Sequence, residues 1–268
     1  MARVTRFAPS PTGPLHLGHA YAALVAAARG DRFLLRIEDI DRARCKPEWE
    51  AAICDDLRWL GLTWELPVMR QSERQPAYDA ALTRLSAMGV TYHCTCTRAD
   101  IRAALAAPQE GGPDGPVYPG TCRNKGHREG AVRLDMARAM ARIGTLRFTE
   151  TGTHPGIYEF DSEHMVVNIG DVILSRRDLG VAYHLAVVVD DAAQNITEVT
   201  RGEDLFSVTP LHVLLQRLLN LPTPAYHHHR LIRDDQGKRL AKRDDARALS
   251  KYRAEGVTPQ DILRILGL

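Results

Sequence analysis

Two histidines, His16 and His19, are the first side chains in this sequence whose spacing suits chemistry. Residues three positions apart lie on one face of a helix, and a helix N-terminus offers N–H groups and partial positive charge to a phosphate. Gly18 between them leaves room for a flat ring against the helix. The pair therefore indicates a phosphate site, and two solvent-facing histidines on a capped helix are the alternative.

The elements that must position these histidines are a strand before them and a helix after them. Val4–Phe7 is predicted as a short strand, and apolar residues then recur at helical spacing from Leu17 until Gly30. Between the two lies a stiff turn, because prolines fix φ and Gly13 lets the backbone approach a ligand closely. The sequence thus predicts strand, turn and helix, with the histidines at the start of the helix.

A second candidate group is the acidic cluster after the next predicted strand. Phe33–Ile37 is an apolar run typical of a buried strand, and Glu38, Asp39 and Asp41 follow it. Carboxylates at the C-terminal edge of a parallel strand lie where open α/β sheets bind ligands. We therefore assign Glu38 to the site, and a solvated acidic loop is the alternative.

Cysteines form a third candidate group. Cys94, Cys96 and Cys122 have no common zinc-finger spacing, yet three thiolates suit a closed tetrahedral zinc site. The residue types leave the fourth ligand open among these side chains: His93, Tyr118 and His127. Imidazole is the better first choice, because it binds zinc at neutral pH without losing a proton.

The remaining two cysteines, Cys45 and Cys54, are expected to be bystanders, and the odd total of five argues against a disulfide framework. A composition of 268 residues, 44% hydrophobic and 25% charged, describes an ordinary globular protein. Neither a membrane helix nor a signal peptide is recognisable, so we expect a cytoplasmic protein, and we also expect a monomer. The net charge of +2 means that any RNA contact must come from a local basic patch, for which residues 230–253 are the candidate.

Helical patterns alternate with strands in the first third of the chain. One begins at Pro47 and closes at Gly61, and another runs from about Tyr78 to Gly89. A third is predicted from a cap at Thr97 to about residue 107. Strands alternating with helices predict an α/β fold with a doubly wound parallel sheet.

The second half contains further predicted strands. Listed in order, these are Ala131–Leu134, Leu146–Phe148, Met165–Leu174, Val187–Val189 with Asp190 and Asp191 as its polar exit, and Ile196–Asp204. Tyr183 opens a helical turn, and a core tyrosine is the alternative to a functional one. Thr209 is expected to cap a helix to Leu219, and Thr258 is expected to cap a last helix before Gly267.

Three segments resemble signatures of the class I aminoacyl-tRNA synthetases, in particular the glutamyl branch. Residues 6–19 resemble the first signature, HIGH, with Leu17 in the place of isoleucine. Residues 36–41 resemble the R-x-E-D-T-D block, with Ile40 in the place of threonine. Residues 239–243 resemble the second signature, KMSKS, and Ala241 there lacks a serine hydroxyl contact worth about 1 kcal/mol.

The resemblance implies a class I synthetase fold of the Rossmann type and assigns site residues. Those for ATP, bound with Mg²⁺, are Pro9, Gly13, His16, Gly18, His19, Arg239, Leu240 and Lys242, of which His16, His19 and Lys242 are catalytic. Those for L-glutamate are Arg6, Ala8, Ser10, Glu38, Tyr183 and Arg201. It also implies one structural zinc ion held in an insert by Cys94, Cys96, Tyr118 and Cys122.

Arg6 and Arg201 can each meet one carboxylate of glutamate through a planar fork. The family places Arg6 towards the substrate's end and Arg201 in the same pocket, and the sequence alone does not rank them.

The resemblance also implies a domain order. Residues 1–92 form the first half of the catalytic domain, 93–185 the insert, and 186–230 the second half. Residues 231–268 form the KMSKS-like loop and a short C-terminal helical segment, and the helical anticodon-binding half of a full synthetase is missing.

That organisation matches a truncated branch of the family, whose members activate glutamate without tRNA and attach it to queuosine in the anticodon stem-loop of tRNA(Asp). A fragment that charges a tRNA 3′ end and a non-catalytic synthetase-like sensor are the alternatives.

Overall fold

The computed structural model describes residues 2–97, 99–101, 111–112, 115–178, 180–233 and 247–268. Strands β1 to β13 are Val4–Phe7, Arg32–Ile37, Glu65–Arg70, Thr91–Cys94, Gly111–Gly112, Gly115–Pro116, Ala131–Leu134, Leu146–Glu150, Gly156–Phe160, Ile173–Arg176, Gly180–Val181, Glu198–Gly202 and Ala225–His229. Helices α1 to α8 are Leu17–Arg29, Pro47–Trp59, Gln75–Ala87, Met136–Ile143, Tyr183–Ala193, Thr209–Leu218, Leu249–Ala254 and Pro259–Leu266. Short helical turns are Gln71–Glu73, Ser162–His164 and Glu203–Leu205.

A parallel sheet in two halves organises the molecule. The first half has the order β1-β2-β3, and the second has β12-β13-β8 with β9 antiparallel at its edge. Strand β1 lies beside β12, where the Thr197 amide donates to the Val4 carbonyl at 3.0 Å. Strand order therefore reverses between β1 and β12, and such a switch point is where α/β sheets bind ligands. The doubly wound α/β prediction is confirmed.

Two hydrophobic clusters hold this sheet. One joins β1 and β2 to α3 and the second half, and the other packs α1, α2 and β2 together. Leu249, Ile262 and Leu266 belong to the second cluster, so the C-terminal helices pack against the first half of the sheet. Helix α8 has the predicted cap, because Thr258 and Asp261 form a reciprocal capping box. None of the helices in the described residues has the length and apolar character to cross a membrane.

A smaller antiparallel sheet, with the order β11-β10-β7-β4, carries the cysteine cluster at one end. Strands β8 and β9 pair with β13 instead. Residues 146–160 thus belong to the large sheet, although they fall inside the interval 93–185 that we assigned to the insert.

The prediction of a strand at Val187–Val189 is wrong. These valines lie on helix α5, and Asp190 and Asp191 are buried helical residues and not the polar exit of a strand. A short apolar run fits a buried helix as well as a strand, and periodicity does not separate the two. The ion pair of Asp191 with Arg6 fixes this helix against strand β1, and that of Asp190 with Arg74 fixes it against the start of α3.

The strand predicted over Met165–Leu174 is only partly present. Met165–Ile169 forms a π-helical turn, and β10 begins at Ile173. Gly170 separates the two with a φ of 68°, a left-handed conformation that ends the turn. The predicted strand therefore spans two elements.

Candidate active site

The two histidines at the start of α1 are fixed by the helix itself. His16 is the N-cap residue, and its Nδ1 accepts from the Gly18 amide at 3.1 Å. His19 Nδ1 accepts in turn from the His16 amide at 3.2 Å. Since both Nδ1 atoms are acceptors, both neutral rings carry their proton on Nε2. Their ring centroids are 3.8 Å apart, so the two imidazoles lie side by side.

The capping of α1 by His16 determines which N–H groups can bind a phosphate. The Gly18 amide is engaged by His16 Nδ1, and the His19 amide donates to the His16 carbonyl at 2.9 Å. We predicted that helix N–H groups would bind the phosphate. Since these two amides are already hydrogen-bonded, we expect the imidazole side chains to take part in phosphate binding.

The turn before α1 brings two motifs together. The Pro9 carbonyl accepts the Glu38 amide at 3.0 Å, so Ala8 and Ser10 lie on the loop that adjoins the end of β2. Pro9 is buried, Ala8 half-buried and Ser10 exposed. Among the described residues, none has an atom within 4 Å of a Cβ placed on Gly13, which leaves space beside the turn for a ligand.

Arg6, near the end of β1, is buried and paired. Its Nε lies 2.9 Å from Asp191 Oδ1, its Nη2 lies 3.4 Å from Asp191 Oδ2, and its Nη1 donates to the Thr200 carbonyl. Arg36 shares the same carboxylate, with Nη1 2.8 Å from Asp191 Oδ1. Asp191 therefore binds one side of the Arg6 guanidinium group, and a contact between Arg6 and a substrate carboxylate stays a prediction.

Arg201, at the end of β12, is also buried but has neutral partners. Its Nε donates to His228 Nε2 at 3.0 Å and its Nη1 to His212 Nδ1 at 2.9 Å. Its Nη2 donates to the Thr209 hydroxyl at 2.7 Å. Thr209 is not the helix cap that we predicted, since Val208 occupies that position and the hydroxyl binds Arg201.

Only Glu38 of the acidic cluster reaches this region. Its Oε1 lies 3.7 Å from Arg36 Nη2, whereas Asp39 binds the amide and hydroxyl of Ser72 and Asp41 pairs with Arg44. Burial raises the pKa of Glu38 to about 7, although the guanidinium groups of Arg36 and Arg6 oppose the rise. Near neutral pH this carboxyl is thus poised between its two forms.

Tyr183, the first residue of α5, shares the same space. Burial is the first cause of its raised pKa, followed by the negative charge of Glu38, while Arg201 and Arg6 act in the opposite direction. The phenol is therefore within electrostatic reach of all three charged groups. The structure brings together the side chains predicted for an amino acid: a phenol, a carboxyl and two guanidinium groups.

Four residues of this site were not predicted from the sequence: Arg36, Asp191, His212 and His228. A signal existed for Asp191, because a charged residue at the end of a buried apolar run needs a partner. The sequence held no such signal for His212 and His228, because their partner Arg201 is distant in sequence.

The second-signature residues Arg239, Leu240, Ala241 and Lys242 lie outside the described residues. The chain that follows them returns to the first signature. Ala248 forms an antiparallel bridge with His16, and the Leu249 amide donates to the Leu15 carbonyl at 2.8 Å. The segment that begins at Arg247 is thus anchored beside the histidines.

The cysteine cluster has the geometry of a metal site. The sulfur atoms of Cys94, Cys96 and Cys122 lie within 4.8 Å of one another, and this cluster includes neither His93 nor His127. Tyr118 Oη is 3.4 Å from the sulfurs of Cys94 and Cys96, and the sulfurs of Cys96 and Cys122 are 3.5 Å apart. Zinc bonds of about 2.3 Å to sulfur and 2.1 Å to oxygen in a tetrahedron imply separations of about 3.5–3.8 Å. Three thiolates and the phenol therefore fit a metal ion.

One of the three thiols, that of Cys122, is favoured in the form that a metal ion binds. Burial tends to raise the pKa of Cys122, but hydrogen bonds from Tyr118 and from the backbone outweigh it and bring the pKa to about 6. Cys122 is thus already stabilised as the thiolate that a metal requires. Arg133 lies 3.7 Å above the Tyr118 ring and packs the phenol in place.

A cavity of about 440 Å³ lies elsewhere, at the N-terminal ends of β2 and β3. Its charged pair, Arg32 and Glu65, is largely exposed, with Nη2 and Oε2 2.6 Å apart. The chemistry-bearing side chains are at the opposite, C-terminal edge of the sheet, so the cavity does not mark the site.

Residues 3–268 match the family model described as class I tRNA synthetases (E and Q), catalytic domain. The chain is 62% identical to the glutamyl-Q tRNA(Asp) synthetase of Rhodobacter capsulatus, over 99% of the chain and 100% of the relative. It is 45% identical to the enzyme of that name from Nocardia farcinica, over 97% of the chain and 82% of the relative.

Two solved structures of glutamate-tRNA synthetases are similar to this chain. A glutamate-tRNA synthetase from Elizabethkingia anophelis has a TM-score of 0.71 and 26% identity. A glutamate tRNA ligase from Elizabethkingia meningosepticum, in complex with its amino acid, has a TM-score of 0.71 and 27% identity. Each comparison covers 91% of this chain and 53% of the other, so the chain spans about half the length of those structures.

Proposed function

Because the chain belongs to the class I tRNA synthetases for glutamate and glutamine, we propose that it activates glutamate with ATP and transfers it to queuosine in the anticodon of tRNA(Asp). The observation that carries this proposal is the similarity, over nearly the whole chain, to a glutamyl-Q tRNA(Asp) synthetase. The grouped side chains at the switch point of the sheet support it, since they suit a small dicarboxylic amino acid and a nucleotide.

Glutamate would bind between β1, β2 and β12. Arg201 attracts a substrate carboxylate, and Arg6 adds the N–H groups that neither Asp191 nor the Thr200 carbonyl engages. The Glu38 carboxylate receives the substrate ammonium group, and the phenol of Tyr183 completes the pocket. The loop residues Ala8 and Ser10 adjoin Glu38 through the Pro9 carbonyl and can offer backbone groups.

ATP would bind along the start of α1. The substrate carboxylate attacks the α-phosphorus, the bond to the bridging oxygen breaks, and pyrophosphate leaves. No protein nucleophile is needed, so catalysis rests on positioning and on stabilising negative charge. His16 and His19 donate their Nε2–H groups to the phosphates, with Gly18 and Gly13 leaving room for the nucleotide. We assign Arg239, Leu240 and Lys242 to the same phosphates, together with Mg²⁺.

We propose that Cys94, Cys96, Cys122 and Tyr118 hold one zinc ion with a structural role. Four protein ligands close the coordination shell, as in structural rather than catalytic zinc sites. The ion would cross-link β4 to the segment around Tyr118 and Cys122, and it takes no part in the transfer reaction.

The acceptor of the activated glutamate would be queuosine in the anticodon of tRNA(Asp). The cyclopentene-diol of queuosine supplies a hydroxyl that attacks the carbonyl carbon of glutamyl-adenylate, and AMP leaves. Exposed basic residues beside the loop that follows β13, namely Arg230, Arg233, Arg247, Lys251 and Arg253, supply phosphate contacts for an RNA stem. The protein would act as a monomer in the cytoplasm, where its RNA substrate is found.

The test uses purified protein, ATP, Mg²⁺ and labelled glutamate with an anticodon stem-loop of tRNA(Asp) that carries queuosine. We expect glutamate-dependent ATP–pyrophosphate exchange without RNA, and label on the queuosine stem-loop. The matched control is the same RNA with guanine, which lacks the diol nucleophile. Label on the 3′-terminal adenosine of tRNA(Glu) would favour a fragment synthetase, and no exchange at all would favour a non-catalytic sensor.

A further inference from the structure

We propose that His212 and His228 are positioning residues for Arg201, which they orient as hydrogen-bond acceptors without cancelling its charge. The proposal rests on the proposed function, in which Arg201 receives a carboxylate of glutamate. It concerns two histidines that neither signature motif contains.

The hydrogen bonds define the chemical form of both rings. A guanidinium group only donates, so His228 Nε2 and His212 Nδ1, at 3.0 and 2.9 Å from Arg201, must both be unprotonated acceptors. Two further bonds run from Arg201 Nη2 to Thr209 and to the Leu205 carbonyl. Four of the five N–H groups are thus engaged, and the remaining one is on Nη1.

Each imidazole is fixed from its other side. His228 Nδ1–H donates to Glu150 Oε2 at 2.5 Å, and the His228 amide donates to Glu150 Oε1 at 3.0 Å. His212 Nε2–H donates to His184 Nδ1 at 3.0 Å. Burial lowers the pKa of both rings, which agrees with their neutral form. The chain Glu150–His228–Arg201–His212–His184 therefore has one consistent arrangement of protons.

Arg201 differs from the neighbouring arginines in how its positive charge is paired. Arg6 and Arg36 are both ion-paired with Asp191, whereas Arg201, 6% exposed, has no carboxylate within 4 Å among the described residues. The nearest anion in its chain of hydrogen bonds is Glu150, which lies behind the His228 ring. Since attraction falls with distance, Glu150 offsets the guanidinium charge only partly.

A buried cation with neutral partners favours an anionic ligand. Removing a charge from water is costly, and a substrate carboxylate recovers part of that cost through a charge-assisted hydrogen bond. The neutral amide of glutamine recovers less. Neutral acceptors at positions 212 and 228 thus serve specificity for glutamate over glutamine, whereas carboxylates there would hold the arginine equally well but cancel its attraction.

The decisive comparison is His212→Asn against His212→Asp. In both variants an Oδ atom lies close to the position of Nδ1, and the two side chains have nearly the same size and shape but differ in charge. We expect His212→Leu, which lacks an acceptor, to weaken glutamate binding about tenfold. His212→Asn should recover most of that loss. His212→Asp should stay at least about tenfold weak and lose preference for glutamate over glutamine.

The readouts are the dissociation constants of glutamate and glutamine by calorimetry, and KM and kcat in ATP–pyrophosphate exchange. The effect should fall on KM for glutamate, with kcat at saturation changed far less. A purely structural role predicts the reverse order, because a carboxylate holds arginine more firmly than an amide does. Equal glutamate affinity in the Asn and Asp variants would overturn the proposal.

A second pair of variants keeps the proposal testable if the His212 variants do not fold. Thr209→Asn and Thr209→Asp place the same charge contrast on the Nη2 side of the guanidinium, and the aspartate should again be the weaker binder. Absence of glutamate-dependent exchange in the unmutated protein would instead contradict the proposed function. The two failures are therefore distinguishable.

Discussion

The Asp191 carboxylate binds Arg6 across 185 positions of sequence, with Arg6 Nε 2.9 Å from Oδ1. The pair joins helix α5 to strand β1, which is at the switch point of the sheet. Arg36, which is fully buried, uses the same carboxylate. One buried anion thus pairs with two buried cations and connects helix α5 to strands β1 and β2 beside the proposed glutamate pocket.

We predict that Asp191→Asn destabilises the protein by about 3–5 kcal/mol, because it removes the anion that two buried guanidinium groups share. Denaturant unfolding followed by circular dichroism measures the change. The control is Glu65→Gln, which breaks the exposed pair with Arg32 and should cost less than about 1 kcal/mol. Similar losses in both variants would contradict the structural role given to Asp191.

Glutamate binding should strengthen as the pH rises through 7. The pKa of Glu38 is raised to about 7, so the carboxylate that meets the substrate ammonium group is mostly protonated at pH 6 and mostly ionised at pH 8. Affinity scales with the ionised fraction, which predicts binding about tenfold weaker at pH 6 than at pH 8. Calorimetry without ATP measures this pH dependence of glutamate binding separately from any titration of His16 and His19, which serve the nucleotide. Glu38→Gln should bind weakly and without this pH dependence, and an unchanged slope in that variant would refute the assignment.

Two substitutions of His16 separate its two tasks. His16→Asn keeps an acceptor for the Gly18 amide but lacks the distal N–H, so stability should persist while kcat for exchange falls about 10²–10³-fold. His16→Ala should lose the same activity and also about 1 kcal/mol of stability, because the cap is gone. Exchange kinetics and thermal unfolding give the two values. An Asn variant with full activity would show that Nε2–H does not serve the phosphates.

The metal site predicts about one zinc ion per chain by elemental analysis of protein purified without chelators. Cys96→Ser should lose most of the metal and lower the stability of the antiparallel sheet. Cys54→Ser is the matched control, since Cys54 is outside the cluster and should leave the metal content unchanged. Tyr118→Phe tests the fourth ligand: unchanged zinc affinity in that variant would exclude the phenol and leave only the three thiolates.

The sequence by itself determined the local elements around the site. Val4–Phe7, the helix from Leu17 and the strand ending at Ile37 all have the predicted type, because apolar periodicity and caps act over a few residues. The capping box of Thr258 and Asp261 was predictable for the same reason. Strand β3, which contains Pro67, was missed, because proline argues against a strand.

Tertiary structure alone decided the chemistry of the two arginines. Arg6 and Arg201 both lie near the ends of strands at the switch point. The sequence did not show which of them binds the substrate side chain. Only folding brings Asp191 to one and His212 and His228 to the other, and it makes helix α5 from a run that also suited a strand. Likewise, spacing left three candidates for the fourth ligand, and the fold brought Tyr118 Oη to the thiols. The physical reason is that local patterns set which face of an element is buried, whereas charge and hydrogen-bond partners come from residues far apart in sequence.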